Sequence, residues 1–216
     1  MIGVFSISPL EKNCLLERTL PKNSNLELNI LYNNKDIGLS KFYNSVINNQ
    51  ENDKYEAIIC CHDDISLRFA NLTAAAKDSL INYDVVGVAG GVNPKIVERN
   101  LWHWMVQRDE YRGIAAHGDK LENMYVTSFG NTPANVQVLD GVFLMFRPKR
   151  LRESNARFDE SFIWHHYDID FSLTCNKQGV KLGVWPILIY HQSPGLRDIN
   201  DPKWVKSNDY FKLKWK

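Results

Sequence analysis

The stretch FDESFIWHHYDIDFSLTCNKQGVKLGVWPILIYH, residues 158–191, combines the acidic start of a helix with a strand that ends in a histidine. Its apolar spacing and the glycine at position 179 predict a helix over about 168–177. Asp168 and Asp170 fall in the first turn, where the helix dipole and the free N–H groups stabilise carboxylates. Capping needs only one carboxylate, so the pair is also a candidate for catalysis.

The segment after this helix, residues 180–189, predicts a strand that delivers His191 at its carboxyl end. The first half of the chain likewise alternates between the two kinds of element. The predicted strands cover residues 2–7, 26–32, 55–61 and 83–89, and the predicted helices cover residues 39–48 and 67–82. This alternation predicts an α/β fold with a mostly parallel central sheet flanked by helices. In such folds strand ends and helix starts face one crevice, so Asp168 and His191 are expected to converge.

Polar residues follow several of the predicted strands, which is where ligands bind in open α/β sheets. The most apolar strand, 55–61, runs directly into a polar triplet at positions 62–64, and a bend at an Asp-Gly pair separates the predicted strand segments 136–139 and 142–146. The candidate contacts to a bound nucleotide are Ser8, Asn33, Asn34, His62, Asp63, Asp140 and Gly141.

Composition bounds the class of protein. With 216 residues, of which 44% are apolar, the chain can bury a substantial core as one domain. The formal net charge of +1 gives no electrostatic argument for a nucleic-acid partner. No apolar run approaches about 18 residues, and the start MIGVFSISPL lacks a basic leader region, so we expect a cytoplasmic protein. The four cysteines show no CxxC spacing and are expected to be reduced, without a chemical role.

A divalent cation would fit the acidic residues at these strand ends. A sugar nucleotide carries a diphosphate, and a cation can neutralise the charge that develops when the sugar–phosphate bond breaks. Mg²⁺ and Mn²⁺ prefer oxygen donors and take one or two protein carboxylates. Asp64 supplies such an oxygen, and His191 adds a nitrogen donor if the ion is Mn²⁺. The sequence therefore predicts a Mn²⁺ or Mg²⁺ site at Asp64 and His191.

An ordered set of motifs gives the chain a family resemblance. The motifs are ICCHDDISL, VLDGVFLMFRPKRL followed by RFDESF, HHYDIDFSLTCNKQGVKLGVWP and the later IYHQSPG, which together span roughly residues 27–195. In this order they resemble the inverting family 2 glycosyltransferases of the GT-A fold, specifically relatives whose metal motif is HxD rather than DxD. The resemblance implies a single GT-A-like domain over residues 1–200, with a nucleotide-sugar half at about 1–91 and an acceptor and catalytic half at 92–200.

The resemblance also assigns roles to residues. It makes Asp64 the metal ligand, with His62 at the place of the first aspartate, and His191 the histidine that reaches the metal or the diphosphate. It makes Asp168 the general base, and Tyr167 stands where the family has a glutamate. Two roles are weighed equally for Asp170: a catalytic role next to Asp168, and a structural role as an acid in the first helical turn.

The implied reaction is an inverting single displacement. Asp168 takes a proton from an acceptor hydroxyl, which attacks the anomeric carbon of a nucleoside-diphosphate sugar, expected to be a UDP-sugar. The expected acceptor is a glycan or a lipid-linked saccharide, and the loop-like segment 92–135 is expected to face it. Two alternatives stay open: a non-catalytic domain that binds sugar nucleotides or glycans, and a nucleotidyltransferase that makes nucleoside-diphosphate sugars.

The carboxyl-terminal tail, residues 201–216, interleaves lysines with aromatic residues. As a helix it would place Trp204, Phe211 and Trp215 close to one face, which suits peripheral contact with an anionic membrane at its inner, cytoplasmic face. The alternative, which we favour, is that the aromatic side chains pack on the domain and that the lysines are solvated.

Overall fold

The chain folds into alternating strands and helices in the computed structural model, which describes residues 1–21, 25–34, 36–193 and 198–216. The strands are β1 (Ile2–Ile7), β2 (Leu26–Leu31), β3 (Ala57–Cys61), β4 (Ile65–Ser66), β5 (Val85–Gly87), β6 (Ala89–Gly91), β7 (Tyr111–Gly118), β8 (Tyr125–Gly130), β9 (Ala134–Val136), β10 (Val138–Leu139), β11 (Phe143–Phe146), β12 (Leu182–Val184) and β13 (Tyr190–Gln192). The α-helices are α1 (Leu15–Thr19), α2 (Leu39–Asn48), α3 (Leu72–Ser79), α4 (Pro148–Ser154), α5 (Tyr167–Lys177) and α6 (Pro202–Trp215). No helix within these ranges is long and apolar enough to cross a bilayer. The end of the IYHQSPG motif, residues 194 and 195, lies outside the described residues.

The larger sheet contains seven of the described strands, in the order β2-β1-β3-β11-β5-β12-β9. Five of these strands run in one direction, whereas β11 and β9 run against their neighbours. Every residue of β1, β3 and β11 is buried, because these central strands are covered on both faces. Because β1 and β3 are parallel neighbours, their carboxyl ends lie side by side, and the polar residues that follow both strands lie at the same edge of the sheet.

A smaller sheet borders the same edge of the larger sheet. Its described strands run in the order β10-β6-β7-β13-β4, and β8 pairs with residues 113–117 of β7. The register places His191 of β13 beside His117 of β7 on one side and Ile65 of β4 on the other. Because β4 follows the polar triplet after β3 directly, this pairing brings His191 next to that triplet.

Three predicted strand segments are split in the structure. The predicted segment 136–139 divides between β9 and β10, which belong to different sheets. The predicted strand 83–89 becomes β5 and β6, which belong to different sheets; the carbonyl of Val88 between them accepts a hydrogen bond from Ile114 of β7. The predicted strand 180–189 forms only β12 before Pro186 breaks the ladder, and β13 then begins at Tyr190.

Two further segments differ from their predictions for local reasons. The predicted helix 67–82 begins only at Leu72, because the Asn71 side chain caps it by accepting a hydrogen bond from the backbone N–H of Ala74. The segment 92–135, predicted as loop, contains β7 and β8. Glycine and alanine make up much of β7, and these residues have low intrinsic strand preference, so its strand conformation depends on pairing with neighbours.

The helix α6 packs on the domain rather than standing apart as a tail. Trp204 and Phe211 are 4% and 0% exposed, so these two aromatic side chains face the protein and not a membrane surface. The helix is also tied to the start of α5, where the Asp170 carboxylate lies 2.7 Å from the Lys214 ammonium and accepts a hydrogen bond from the indole N–H of Trp215. This arrangement agrees with the favoured prediction that the aromatic side chains of the tail pack on the domain.

Candidate functional site

A cleft of about 920 Å³ opens where the carboxyl ends of β1 and β3 meet the smaller sheet and the start of α5. All six histidines of the chain line it. The lining also contains the carboxylates Asp63, Asp64, Asp119, Asp140 and Asp168 and the aromatic residues Trp102, Tyr125, Trp164, Tyr167 and Trp204. The cleft therefore collects groups that bind cations and hydroxyls from both halves of the chain.

Three metal-binding side chains meet in this cleft. His62 and Asp64 follow β3, and His191 comes from β13; one donor atom from each of the three lies within 4.8 Å of the other two. The Asp64 Oδ1 atom is 3.3 Å from His191 Nε2 and 3.8 Å from His62 Nδ1. The predicted convergence of Asp64 and His191 is thus present, and His62, predicted as a nucleotide contact, joins the same cluster.

Asp168 lines the cleft from the first turn of α5. Its Oδ2 atom accepts a hydrogen bond of 3.0 Å from the backbone N–H of Gly141. Burial and, to a smaller extent, the nearby charge of Asp140 raise the pKa of the Asp168 carboxyl to about 7. A carboxyl with a pKa near neutrality is suited to accept a proton at physiological pH.

Asp140 is held firmly beside Asp168. Its Oδ1 atom accepts a hydrogen bond from the backbone N–H of Val142, and its Oδ2 atom accepts one of 2.9 Å from the indole N–H of Trp102. The sequence gives no local signal for Trp102 as a site residue, because its partner lies 38 positions further along the chain. These bonds fix a second negative charge at the edge of the cleft.

Asp170 occupies a different environment from Asp168. Its side chain is fully buried and is not among the residues that line the cleft. Burial raises the pKa of the Asp170 carboxyl, although the Lys214 ammonium and the Trp215 indole oppose this shift. The two aspartates of the predicted catalytic pair therefore point to opposite sides of α5.

The other predicted nucleotide contacts divide into lining and supporting residues. Asn34 and Asp63 line the cleft. The Ser8 hydroxyl lies behind them and donates a hydrogen bond to Asp63 Oδ2. Asn33 adopts a positive φ of 53° in the turn after β2, and its backbone N–H is bonded to the Leu10 carbonyl. Ser8, Asn33 and Gly141 are not among the residues that line the cleft.

The adjacent histidines before α5 are placed differently from each other. His166 is 3% exposed, and its Nδ1 atom lies 2.8 Å from the Ser207 hydroxyl of α6. Burial lowers the pKa of His166 to about 4, so its ring is neutral at physiological pH. His165 lines the same cleft and is half-buried.

The lining of the cleft is rich in carboxylates. Within the part of the chain that the structure describes, five aspartates line it, and Lys203 of α6 is its single lysine or arginine. Burial lowers the pKa values of His103 and His117, so these rings do not offset the acidic charge. A polyanionic ligand would be repelled from this cleft unless cations accompanied it.

Comparisons with known proteins identify the fold. No protein-family model and no curated protein sequence matches the chain. Among solved structures, S. aureus TarS residues 1–349, in complex with UDP, is similar at 15% identity and a TM-score of 0.50, over 88% of this chain and 60% of that one. A second S. aureus TarS structure is similar at 13% identity and a TM-score of 0.51, over 89% of this chain and 37% of that one.

The chain therefore spans less than two thirds of the length of either TarS structure. At these identities the likeness shows the fold alone. Together with the mixed central sheet flanked by helices, it confirms the predicted α/β fold of the GT-A type.

Proposed function

We propose that this protein transfers a sugar from a nucleoside-diphosphate sugar to an acceptor hydroxyl. The observation that carries the proposal is the presence, in one cleft, of the His62, Asp64 and His191 cluster and of Asp168 with its pKa near 7. The cluster suits a cation that accompanies a diphosphate, and the Asp168 carboxyl suits a general base. The family resemblance of the sequence motifs supports the same reaction.

The donor set fits a divalent cation. Two imidazole nitrogens and one carboxylate oxygen lie close enough to one another to share a single ion. Mg²⁺ strongly prefers oxygen ligands, whereas Mn²⁺ accepts imidazole as well, so this set favours Mn²⁺ over Mg²⁺. When bound, the ion would neutralise the charge on the departing diphosphate.

The acidic lining of the cleft also supports the requirement for a cation. A nucleoside diphosphate brings several negative charges into a site that, among the described residues, is lined by five aspartates and one lysine. We propose UDP as the nucleotide, because a TarS structure with this fold was solved in complex with UDP. Asn34 and Asp63 would contact the nucleotide, while Ser8 orients Asp63 and Asn33 shapes the turn that carries Asn34.

Asp168 is the proposed base. Its carboxylate would take the proton of an acceptor hydroxyl, whose oxygen attacks the anomeric carbon from the face opposite the leaving diphosphate and inverts the configuration. The Gly141 N–H keeps one carboxylate oxygen in place, and the Asp140 charge helps to hold the pKa near neutrality. Asp170 has a structural role in this proposal, because its carboxylate is bound to α6.

The acceptor would enter from the side of the smaller sheet. Tyr125 of β8 is 63% exposed at the rim of the cleft, and its ring centroid lies 6.0 Å from that of His117. Aromatic faces and neutral imidazoles suit the apolar faces and hydroxyls of a sugar. We therefore propose a glycan or a lipid-linked saccharide as the acceptor.

A panel of nucleoside-diphosphate sugars tests the proposed donor class by thermal unfolding with and without Mn²⁺. A sugar nucleotide at 100 times its dissociation constant is expected to stabilise the protein by about 2.7 kcal/mol. We expect this stabilisation from UDP-sugars and only when Mn²⁺ is present, with Mn²⁺ alone as the reference. Equal stabilisation by a sugar nucleotide in the presence of a chelator would contradict the metal-dependent site.

A further inference from the structure

We propose that Tyr167 is a positioning residue that selects the tautomer of His62 and thereby sets the affinity of the cluster for its cation. The inference rests on the proposed function for its metal, but the tautomer itself can be measured without any metal. It assigns a task to the tyrosine that stands where the resembled family has a glutamate.

A continuous set of hydrogen bonds carries this inference. The His62 Nε2 atom lies 2.8 Å from the Tyr167 hydroxyl oxygen. That hydroxyl donates its proton to the carbonyl oxygen of Gly141 at 3.0 Å. On the other side of the ring, His62 Nδ1 faces Asp64 Oδ1 at 3.8 Å.

The direction of these bonds determines the tautomer. A tyrosine hydroxyl has one proton, and a carbonyl oxygen can only accept. Once the Tyr167 proton is directed to Gly141, the His62 contact is satisfied only if Nε2 carries a proton and donates it to the hydroxyl oxygen. The neutral ring then has its lone pair on Nδ1, which is the nitrogen that faces Asp64. A metal-binding histidine is commonly oriented in this way by a partner on its second ring nitrogen.

Tight packing holds Tyr167 in the position from which it can do this. Its side chain is 4% exposed, and its ring lies against Tyr43 and Phe158, with centroid distances of 6.1 and 6.2 Å. Gly141 permits the close approach, because a Cβ atom there would lie 2.6 Å from the Tyr167 Cζ atom and 2.7 Å from the Asp168 Cβ atom. The hydroxyl therefore has little freedom to move away from His62.

The same glycine also contacts the proposed base. Gly141 accepts from Tyr167 through its carbonyl and donates to Asp168 through its N–H. Tyr167 and Asp168 are consecutive residues at the start of α5, so one glycine residue fixes both the partner of His62 and the base. The hydroxyl of Tyr167 thus connects the cation cluster to the rest of the site.

The variant Tyr167→Phe removes the hydroxyl and keeps the ring. We expect its affinity for Mn²⁺, measured from the signal of free Mn²⁺ by electron paramagnetic resonance, to fall by about 10- to 100-fold. Tyr43→Phe is the matched control, because it removes another fully buried hydroxyl that donates to a backbone carbonyl, that of Cys61, without touching the cluster. Its Mn²⁺ affinity is expected to stay within about twofold of the parent.

The tautomer is measured on the unmodified, metal-free protein by ¹⁵N NMR of the imidazole rings, at about pH 8.5 so that histidine is neutral. We expect His62 to carry its proton on Nε2, and we expect Tyr167→Phe to give a mixture of both tautomers. A proton on Nδ1 in the unmodified protein would overturn the inference, even if Tyr167→Phe failed to fold. Unchanged Mn²⁺ affinity in a folded Tyr167→Phe protein would overturn it as well. Failure of the unmodified protein to bind Mn²⁺ would count against the proposed metal site, and the NMR result would still decide the role of Tyr167.

Discussion

Asp168→Asn is expected to lower sugar transfer by at least about 100-fold while donor binding stays close to that of the parent, since a positioned general base contributes about 10²–10⁴-fold to a rate. The amide keeps the size of the carboxylate but cannot take the acceptor proton. Donor binding is measured by calorimetry with UDP and Mn²⁺, and transfer is measured from UDP release with a saccharide acceptor. A large loss of both quantities would indicate that Asp168 serves binding rather than proton transfer.

Asp170→Asn is the matched control, two residues along the same helix. It removes a carboxylate that pairs with Lys214 and Trp215 outside the cleft. We expect the free energy of unfolding to fall by about 1–3 kcal/mol, because the loss of a buried charged partner costs this much. The folded protein should still transfer sugar at a rate near that of the parent. The opposite pattern, with transfer retained in Asp168→Asn and lost in Asp170→Asn, would move the base to Asp170.

The pH dependence of transfer follows from the same carboxyl. Because the base must be ionised, transfer should rise as the pH increases through the Asp168 pKa of about 7. Asp140→Asn removes a neighbouring negative charge that raises this pKa, so the rising limb should move to lower pH. Between the ordinary pKa of an aspartate and about 7, the folded state binds more protons at Asp168 than the unfolded state does. The contribution of Asp168 to stability should therefore decrease as the pH rises through that window.

Asp64→Ala is expected to weaken Mn²⁺ binding by at least about 100-fold, because even the partners of metal ligands contribute 10- to 100-fold to affinity. The Asp64 Oδ1 atom is the acidic member of the cluster, close to both imidazoles. The metal-dependent part of UDP binding, measured by calorimetry, should disappear with it.

Asp119→Ala separates the loss of a ligand from the loss of a charge. Asp119 lines the same cleft but lies outside the cluster, so its removal deletes one negative charge and no metal donor. We expect this variant to bind UDP and Mn²⁺ at least as well as the parent does. Equal losses in Asp64→Ala and Asp119→Ala would show that Asp64 acts through its charge alone.

The parts of the fold that the sequence predicts well depend on local patterns. The bounds of β1 and α2 match their predictions, because the burial of a central strand and the amphipathic face of a helix are both readable along the chain. The polar triplet lies at the carboxyl end of β3, as expected for a parallel sheet, whereas His191 reaches it from the smaller sheet through the pairing of β13 with β4. Local patterns therefore predict the location of the site.

The parts that the sequence does not predict depend on contacts between distant residues. The strand β7 is stabilised by pairing rather than by its own composition, and the bond between Tyr167 and His62 joins residues 105 positions apart. The distinction between Asp168 and Asp170 is partly local, because residues two apart on a helix point to nearly opposite sides and cannot both face one cleft. Which of them faces it depends on the packing of α6, which only the folded structure reveals.

The central claim is that a divalent cation held by His62, Asp64 and His191 accompanies a nucleoside diphosphate in this cleft. Pulsed electron paramagnetic resonance of the protein with Mn²⁺ and UDP tests this claim most directly, because couplings to nuclei within bonding range identify the ligands of the ion. We expect ¹⁴N couplings from histidine and ³¹P couplings from the diphosphate on the same Mn²⁺ ion, with both signals lost in Asp64→Ala. A protein-bound Mn²⁺ ion with no ¹⁴N coupling, or with ¹⁴N coupling but no ³¹P coupling when UDP is bound, would contradict the claim.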